Sequence, residues 1–123
     1  WIKNSFPSKK FGRVRFMLLE AGGWIGEHFD SDTPVIESVN IALSNPEGCV
    51  WTWGDGTTLD YKPGDAYALN LYYRHKIENN SNEDRYHIII HHHDSIPEWK
   101  ELMTKAAEEQ NIEGNFVYST RAY

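Results

Sequence analysis

The segment His28-Phe29-Asp30 places an imidazole and a carboxylate two residues apart. Since alternate residues of a β-strand point to the same side of the sheet, both side chains are expected to face one point in space. Two histidines and one carboxylate on one face of an octahedron bind iron(II) and leave open positions. The third ligand must come from a distant strand, and His75 is the natural candidate. The competing interpretation of His28 alone is a surface histidine with a local hydrogen bond.

The run His91-His92-His93 is a second group of possible metal ligands. Strand alternation sends the first and third histidines to one face and the second to the other, so the three cannot converge on one ion. We interpret them as rim residues or adventitious metal binders. Cys49 lies beside a turn and has no basic neighbour in the sequence to lower its pKa, so a nucleophilic role is not indicated.

The composition is that of one folded domain. At 123 residues the chain is long enough to bury a core, and an aromatic fraction of 14% argues for an aromatic-lined interior or cleft. The net charge of −6 argues against nucleic acid or a membrane surface as partner. The sequence does not indicate an oligomeric state. The lone cysteine permits no internal disulfide, and a cytoplasmic location is expected.

Alternating apolar and polar residues predict a β-rich chain with turns about every ten residues. The segments that read as strands are residues 13–20, 35–43, 49–53, 57–61, 66–73, 75–79 and 85–93. Gly54-Asp55-Gly56 suits a tight hairpin, because it contains residues that tolerate positive φ. With about eight short strands evenly spread, the sequence predicts an all-β, double-sheet jelly roll.

One α-helix is predicted near the C-terminal end, over residues 96–110. Ser95 and Glu98 resemble a capping box, and apolar residues then recur with helical spacing at Trp99, Leu102, Met103 and Ala106. We expect this helix to pack outside the sheets and to end by Gly114, before a last edge strand or tail. A single domain is expected over residues 1–123, with its core in residues 13–93.

Three segments give the chain a specific resemblance: "EAGGWIGEHFD", "NPEGCVWTWGDGTTLDYKPGDAYALN" and "YRHKIENNSNEDRYHIII". Together they resemble the double-stranded β-helix core of the iron(II)/2-oxoglutarate dioxygenases, in particular the aspartyl/asparaginyl β-hydroxylase-like branch of the cupin superfold. In that branch an arginine follows the last metal histidine by ten residues, and Arg85 stands ten residues after His75. The resemblance covers roughly the middle two-thirds of the chain.

The resemblance implies an activity and a set of site residues. It implies an iron(II) site formed by His28, Asp30 and His75, with 2-oxoglutarate as co-substrate and Arg85 paired with its distal carboxylate. The implied reaction hydroxylates an amino-acid side chain, free or in a peptide. Some members of the branch lack the metal carboxylate, and the presence of Asp30 favours a full triad. If Arg85 points into the barrel, strand parity makes His87 a candidate to line the same pocket.

The sequence also departs from the branch. Members often carry an Arg-x-His pair after the first iron motif, and the matching positions here are Ser38 and Asn40. A commonly contributed serine is replaced by Met17. We predict that Ser38 and Asn40 line the co-substrate site and that 2-oxoglutarate binds with modest affinity, because charge-assisted hydrogen bonds are fewer.

Two alternatives stay open. Without the resemblance, Arg85 reads as a surface residue in an ion pair with Glu83 or Asp84. The segment "PGDAYALNLYYRHKIEN" also resembles the second cupin motif, so the chain could be a non-catalytic module that binds a metal or a small ligand. The discriminating feature is the first motif, because cupins usually have His-x-His there and this chain has His28-Phe29-Asp30.

Overall fold

The structure, a computed structural model, describes residues 1–33, 36–92 and 97–109. Its elements are α1 (Ile2–Ser5), β1 (Phe11–Leu19), β2 (Trp24–His28), β3 (Ser38–Ala42), β4 (Cys49–Trp53), β5 (Thr58–Leu59), β6 (Ala66–Ala68), β7 (His75–Asn79), β8 (Arg85–His92) and α2 (Pro97–Glu109). None of the helices in these ranges is long and apolar enough to cross a membrane.

The strands form two antiparallel four-stranded sheets, in the orders β1-β8-β3-β6 and β2-β7-β4-β5. Most consecutive strands lie in opposite sheets, so the chain crosses repeatedly between them. This is the predicted all-β jelly roll, and the fold prediction is confirmed.

The barrel interior holds one hydrophobic cluster between the two sheets. Its buried members are Leu19, Cys49, Trp51, Leu69 and Ile77. The buried Asn79 closes one end, since its amide nitrogen donates to the carbonyl oxygens of Leu19 (3.2 Å), Glu20 (3.1 Å) and Glu83 (2.8 Å). These bonds fix the turn after β1 and the loop before β8. Asn79 therefore has a structural role, because it sets where β8 begins.

A second hydrophobic cluster lies on the outer face of the first sheet, under the helices. Its buried members are Val39, Ile41, Ile90 and Trp99, with Ile2, Phe6, Phe11, Ile88 and Met103 packed against them. The Trp99 ring stacks on Phe6 (5.9 Å) and on His92 (4.4 Å). Helix α2 thus packs outside the barrel, as predicted. Ser95, Gly114 and the tail beyond it lie outside the described residues.

Some predicted boundaries are wrong. Residues 69–73 were expected to continue a strand, but β6 ends at Ala68 and a turn follows. There the carboxamide oxygen of Asn70 accepts a hydrogen bond from the backbone N–H of Tyr72 (3.3 Å), and this local bond replaces strand pairing. Strand β3 begins only at Ser38, β5 is shorter than predicted, and β1 begins earlier, at Phe11. Helix α1 was not predicted.

Candidate functional site

The described residues contain a group of three potential metal ligands at one end of the barrel interior. His28, Asp30 and His75 each offer a ligand atom, and these atoms all lie within 4.8 Å of one another. The Nε2 atoms of His28 and His75 lie 3.3 Å and 3.6 Å from the two carboxylate oxygens of Asp30. The structure therefore brings the three predicted ligands together. We call this group the metal end of the barrel.

Both histidines are held with their Nε2 nitrogen toward the carboxylate of Asp30. The Nδ1 atom of His28 lies 2.7 Å from the carbonyl oxygen of Gly26, and that of His75 lies 2.9 Å from the carbonyl oxygen of Tyr73. A carbonyl only accepts, so each Nδ1 donates and each neutral ring has its lone pair on Nε2. This arrangement fixes the tautomer and orientation that a metal-binding histidine requires.

Asp30 is positioned differently from the sequence expectation. Strand β2 ends at His28, so strand alternation does not place the carboxylate. Instead the backbone N–H of Asp30 donates to the carbonyl oxygen of Leu71 (2.9 Å), and the chain turns so that the side chain meets both histidines. The side chains of His28 and Asp30 therefore meet through a turn, and not through the strand alternation that the spacing predicts.

The strand register and two tryptophans place His75. On the paired strands β2 and β7, His28 is the direct partner of His75. The indole of Trp51 stacks on the His75 ring at 4.7 Å and 10°, and Trp53 meets it edge-on at 5.8 Å. Burial lowers the pKa of His75, so the neutral, metal-binding form is favoured. These tryptophans were expected mainly as core, and no sequence signal assigned them to the histidine.

Arg85 lies in the barrel and is 1% exposed. Its Nη1 atom lies 3.2 Å from Nδ1 of His87, and its guanidinium lies over the ring of Tyr61 at 4.5 Å from the centroid. The Nη2 atom is buried and has no hydrogen-bond partner. Within the described residues no carboxylate forms an ion pair with this guanidinium. We call Arg85, His87 and Tyr61 the anion end of the barrel.

The surface ion-pair interpretation of Arg85 is wrong. Asp84 instead accepts hydrogen bonds from the backbone N–H of Ala21 (2.9 Å) and from the hydroxyl of Tyr86 (3.3 Å). Burial lowers the pKa of Arg85, yet a guanidinium stays charged in proteins. A buried cation without a counter-ion is unfavourable, so this position is suited to an anionic ligand.

The neighbours of Arg85 are neutral donors and acceptors. Burial, and then the charge of Arg85, lowers the pKa of His87 to about 4. Burial raises the pKa of Tyr61 to about 12, against the opposing effect of Arg85. The sequence shows no basic residue next to Cys49, but in the folded protein the charge of Arg85 acts to lower the pKa of the Cys49 thiol. Burial outweighs that effect and the thiol pKa is raised, so a thiolate nucleophile is still not indicated.

Comparison with known families gives one match by sequence. The family model described as Aspartyl/Asparaginyl beta-hydroxylase matches residues 2–95. The chain belongs to this family. The matched residues include the whole metal end and the whole anion end. Comparison with curated proteins gives no match.

The similar solved structures include a cupin domain. A cupin domain from Bordetella pertussis Tohama I aligns with TM-score 0.54 at 17% identity, over 72% of this chain and 88% of that chain. Protein NMB1881 from Neisseria meningitidis aligns with TM-score 0.49 at 14% identity, over 72% and 79% of the two chains. The likeness to the Bordetella domain supports the cupin-type barrel, and membership of the hydroxylase family supports an enzyme of that type.

The other residues predicted for this hydroxylase-family chain are buried in the first sheet. Ser38 and Asn40 are 4% and 3% exposed. Asn40 of β3 pairs with Ile89 of β8, and His87 of β8 pairs with Met17 of β1. Asn40 and His87 therefore lie on neighbouring strands of the same sheet. Their roles toward a co-substrate stay predictions.

The histidine run does not converge. His91 is half-buried, and its Nε2 atom lies 3.2 Å from Arg15 Nη2, whereas His92 stacks on Trp99 in the outer cluster. The two side chains therefore lie on opposite faces, as strand alternation predicted. His93 lies outside the described residues.

Proposed function

We propose that the protein is an iron(II)- and 2-oxoglutarate-dependent oxygenase that hydroxylates an amino-acid side chain, free or in a peptide. Family membership supports hydroxylation in general. The observation that carries the specific proposal is the buried guanidinium of Arg85. It has no acidic partner among the described residues, and it lies in the same barrel interior as two histidines and a carboxylate.

The metal end fits iron(II). Two imidazole nitrogens and one carboxylate are the donor set of the non-haem iron oxygenases. The backbone carbonyls of Gly26 and Tyr73 fix both rings with Nε2 toward the common point. In this proposal His28, Asp30 and His75 hold the metal. Side-chain exposures of 33% for His28 and 52% for Asp30 leave this end open to a substrate.

The anion end fits the far carboxylate of 2-oxoglutarate. Trp53 on β4 pairs with His75 at the metal end, and Arg85 pairs with Leu19, which packs in the same interior cluster as Cys49. Cys49 lies four residues before Trp53 on β4. At roughly 3.3 Å per residue this is a span of about 13 Å. A span of that size suits a five-carbon diacid held between a metal ion and an arginine side chain. Arg85 supplies a permanent cation that can form hydrogen bonds to a carboxylate.

Iron(II) bound at this site, with dioxygen and 2-oxoglutarate, supplies an oxidant for C–H hydroxylation while the co-substrate is converted to succinate and carbon dioxide. The protein's own residues hold and orient the reactants. Arg85 neutralises the distal carboxylate, and Trp51, stacked on His75, covers the interior side of the metal end with apolar surface. The neutral state of His75 keeps its lone pair available.

The test is succinate formation by the purified protein. Iron(II), ascorbate and 2-oxoglutarate are added under air, and succinate is measured with and without a mixture of free amino acids or peptides. The proposal predicts slow, iron-dependent succinate formation that an accepted substrate accelerates. A protein that binds iron(II) but forms no succinate and binds no 2-oxoglutarate would instead be the non-catalytic cupin-like module.

A further inference from the structure

Two polar atoms at the anion end are buried and have no hydrogen-bond partner in the part of the chain that the structure describes. They are the Nη2 atom of Arg85 and the hydroxyl of Tyr61, whose side chains belong to residues only 1% and 3% exposed. Each such atom costs stability, because it loses its bonds to water and gains none. A ligand with several acceptor atoms supplies the hydrogen-bond partners that both donors lack.

The guanidinium of Arg85 and the ring of Tyr61 are in direct contact. The guanidinium carbon of Arg85 lies 4.5 Å from the centroid of the Tyr61 ring, and the hydroxyl is on the rim of that ring. With hydrogen bonds of about 2.8 Å to each of its oxygens, a carboxylate can join donors that lie roughly 5 Å apart. Tyr61 remains protonated at neutral pH, since its pKa is raised to about 12, so the hydroxyl stays a donor.

The second arm of the guanidinium is already in use. Nη1 of Arg85 lies 3.2 Å from Nδ1 of His87, and an arginine only donates, so this ring nitrogen accepts. His87 therefore takes one of the two N–H groups of Nη1 and orients the guanidinium. Nη2 remains available, and a second donor beside it gives two-point recognition of a carboxylate.

We propose that Tyr61 is a ligand-binding residue whose hydroxyl donates to the same carboxylate as Nη2 of Arg85, while His87 orients the guanidinium. The ligand is the distal carboxylate of 2-oxoglutarate, so this assignment rests on the proposed function. Tyr61 then helps to select a dicarboxylic over a monocarboxylic 2-oxo acid.

Tyr67 offers a matched control in the same ring stack. The rings of Tyr61 and Tyr67 stack at 4.8 Å, but the Tyr67 hydroxyl already has protein partners. It accepts from the backbone N–H of Lys62 (2.7 Å) and donates to the carbonyl oxygen of Asp60 (3.0 Å). Removing either hydroxyl deletes one oxygen, but only the Tyr67 oxygen has protein hydrogen bonds to lose.

The experiment compares Tyr61→Phe and Tyr67→Phe with wild type in two measurements. Thermal unfolding without ligand reports the cost of each hydroxyl to the folded chain. Anaerobic titration with manganese(II) and either 2-oxoglutarate or 2-oxopentanoate, which lacks the distal carboxylate, reports binding. Manganese(II) replaces iron(II) so that no turnover occurs.

We expect Tyr61→Phe to unfold at the same or a higher temperature than wild type and to bind 2-oxoglutarate roughly ten-fold or more weakly. Its affinity for 2-oxopentanoate should not change. Tyr67→Phe should unfold at a lower temperature and bind both acids as wild type does. Unchanged 2-oxoglutarate affinity in Tyr61→Phe, or equal loss for both acids, would overturn the assignment while leaving the proposed function intact. If wild type itself does not bind 2-oxoglutarate, the proposed function fails, and the assignment fails with it.

Discussion

At the metal end of the barrel, His28 and Asp30 keep side-chain exposures of 33% and 52%, whereas Arg85 at the anion end is 1% exposed. The metal end is completed by the chain itself, since two backbone carbonyls orient its histidines. The anion end is incomplete, since Nη2 of Arg85 and the hydroxyl of Tyr61 have no hydrogen-bond partner within the described ranges. One end is open and preorganised, and the other is buried with two unpaired donors.

In the proposed function, this difference gives each end a separate task. An open metal site with fixed donor nitrogens can admit a substrate from solvent, and its ligands need little rearrangement to bind an ion. A buried cation without a counter-ion favours occupancy by an anion and rejects a neutral group of the same shape. The following changes act on one end at a time and so test whether the two tasks are separate.

The largest effect is expected from His75→Ala, which removes the most buried ligand of the metal end. Metal affinity should fall by more than the roughly 10–100-fold that loss of an outer hydrogen bond to a metal-binding histidine costs. Succinate formation should be lost with it. The measurement is metal content after equilibrium dialysis. His91→Ala, a half-buried histidine bonded to Arg15, is the control, and equal metal affinity in both variants would contradict the triad.

Arg85→Lys should weaken 2-oxoglutarate binding and leave the metal in place. A lysine keeps the charge but cannot donate to His87 and to the ligand in the same planar geometry, so about 1–3 kcal/mol, or one to two decades in affinity, should be lost. The measurement is the 2-oxoglutarate concentration at half-maximal succinate formation, beside iron content. The exposed Arg13→Lys is the control. Identical responses of wild type and Arg85→Lys would remove Arg85 from the site.

Acid should destabilise the metal-free protein through His87. Its folded-state pKa of about 4 lies below the ordinary value of about 6.5, so between these values the unfolded chain binds more protons. The stability from neutral His87 is therefore present above pH 6.5 and falls as the pH approaches 4, with about 2 kcal/mol lost between pH 7 and 5. Denaturant unfolding at both pH values should show a smaller loss for His87→Asn. Equal losses would show that His87 is not buried neutral.

The smallest effect is expected from Asn40→Ala, because a neutral amide contributes less than a charged group. If the buried Asn40 contacts the co-substrate, its removal should weaken 2-oxoglutarate binding by roughly three- to ten-fold. Wild-type affinity should itself be modest. Anaerobic absorbance titration measures both. Sub-micromolar binding by wild type, or no change in Asn40→Ala, would show that the contact lies elsewhere.

The two ends also differ in how far the sequence predicted them. His28, Asp30 and His75 were predicted from residue types and spacing, because few donor sets form an iron site. The strand parity used for Asp30 does not apply, since β2 ends at His28. The burial of Arg85 was implied only by the family resemblance. Nothing local in the sequence marks Tyr61, since its contact with Arg85 joins a residue after β5 to the first residue of β8.

The errors in the fold have local causes. Alternating apolar residues over 69–73 resembled a strand, but the side-chain oxygen of Asn70 accepts from the backbone N–H of Tyr72 and forms a turn. Helix α1 has only four residues and depends on packing of Ile2 and Phe6 against the outer cluster, which no periodic pattern can reveal. The existence of the strands was predicted well, because the alternation of apolar and polar residues is strong. The ends of the strands were predicted poorly, because local hydrogen bonds decide where a strand stops.

The proposed function is tested most directly by a crystal structure of the protein with manganese(II) and 2-oxoglutarate under anaerobic conditions. We expect one metal ion bound by His28, Asp30 and His75, with the 2-oxo acid group on that ion. The distal carboxylate should lie within hydrogen-bond distance of Nη2 of Arg85. A co-substrate that binds elsewhere, or that reaches the metal while Nη2 of Arg85 stays without a partner, would contradict it.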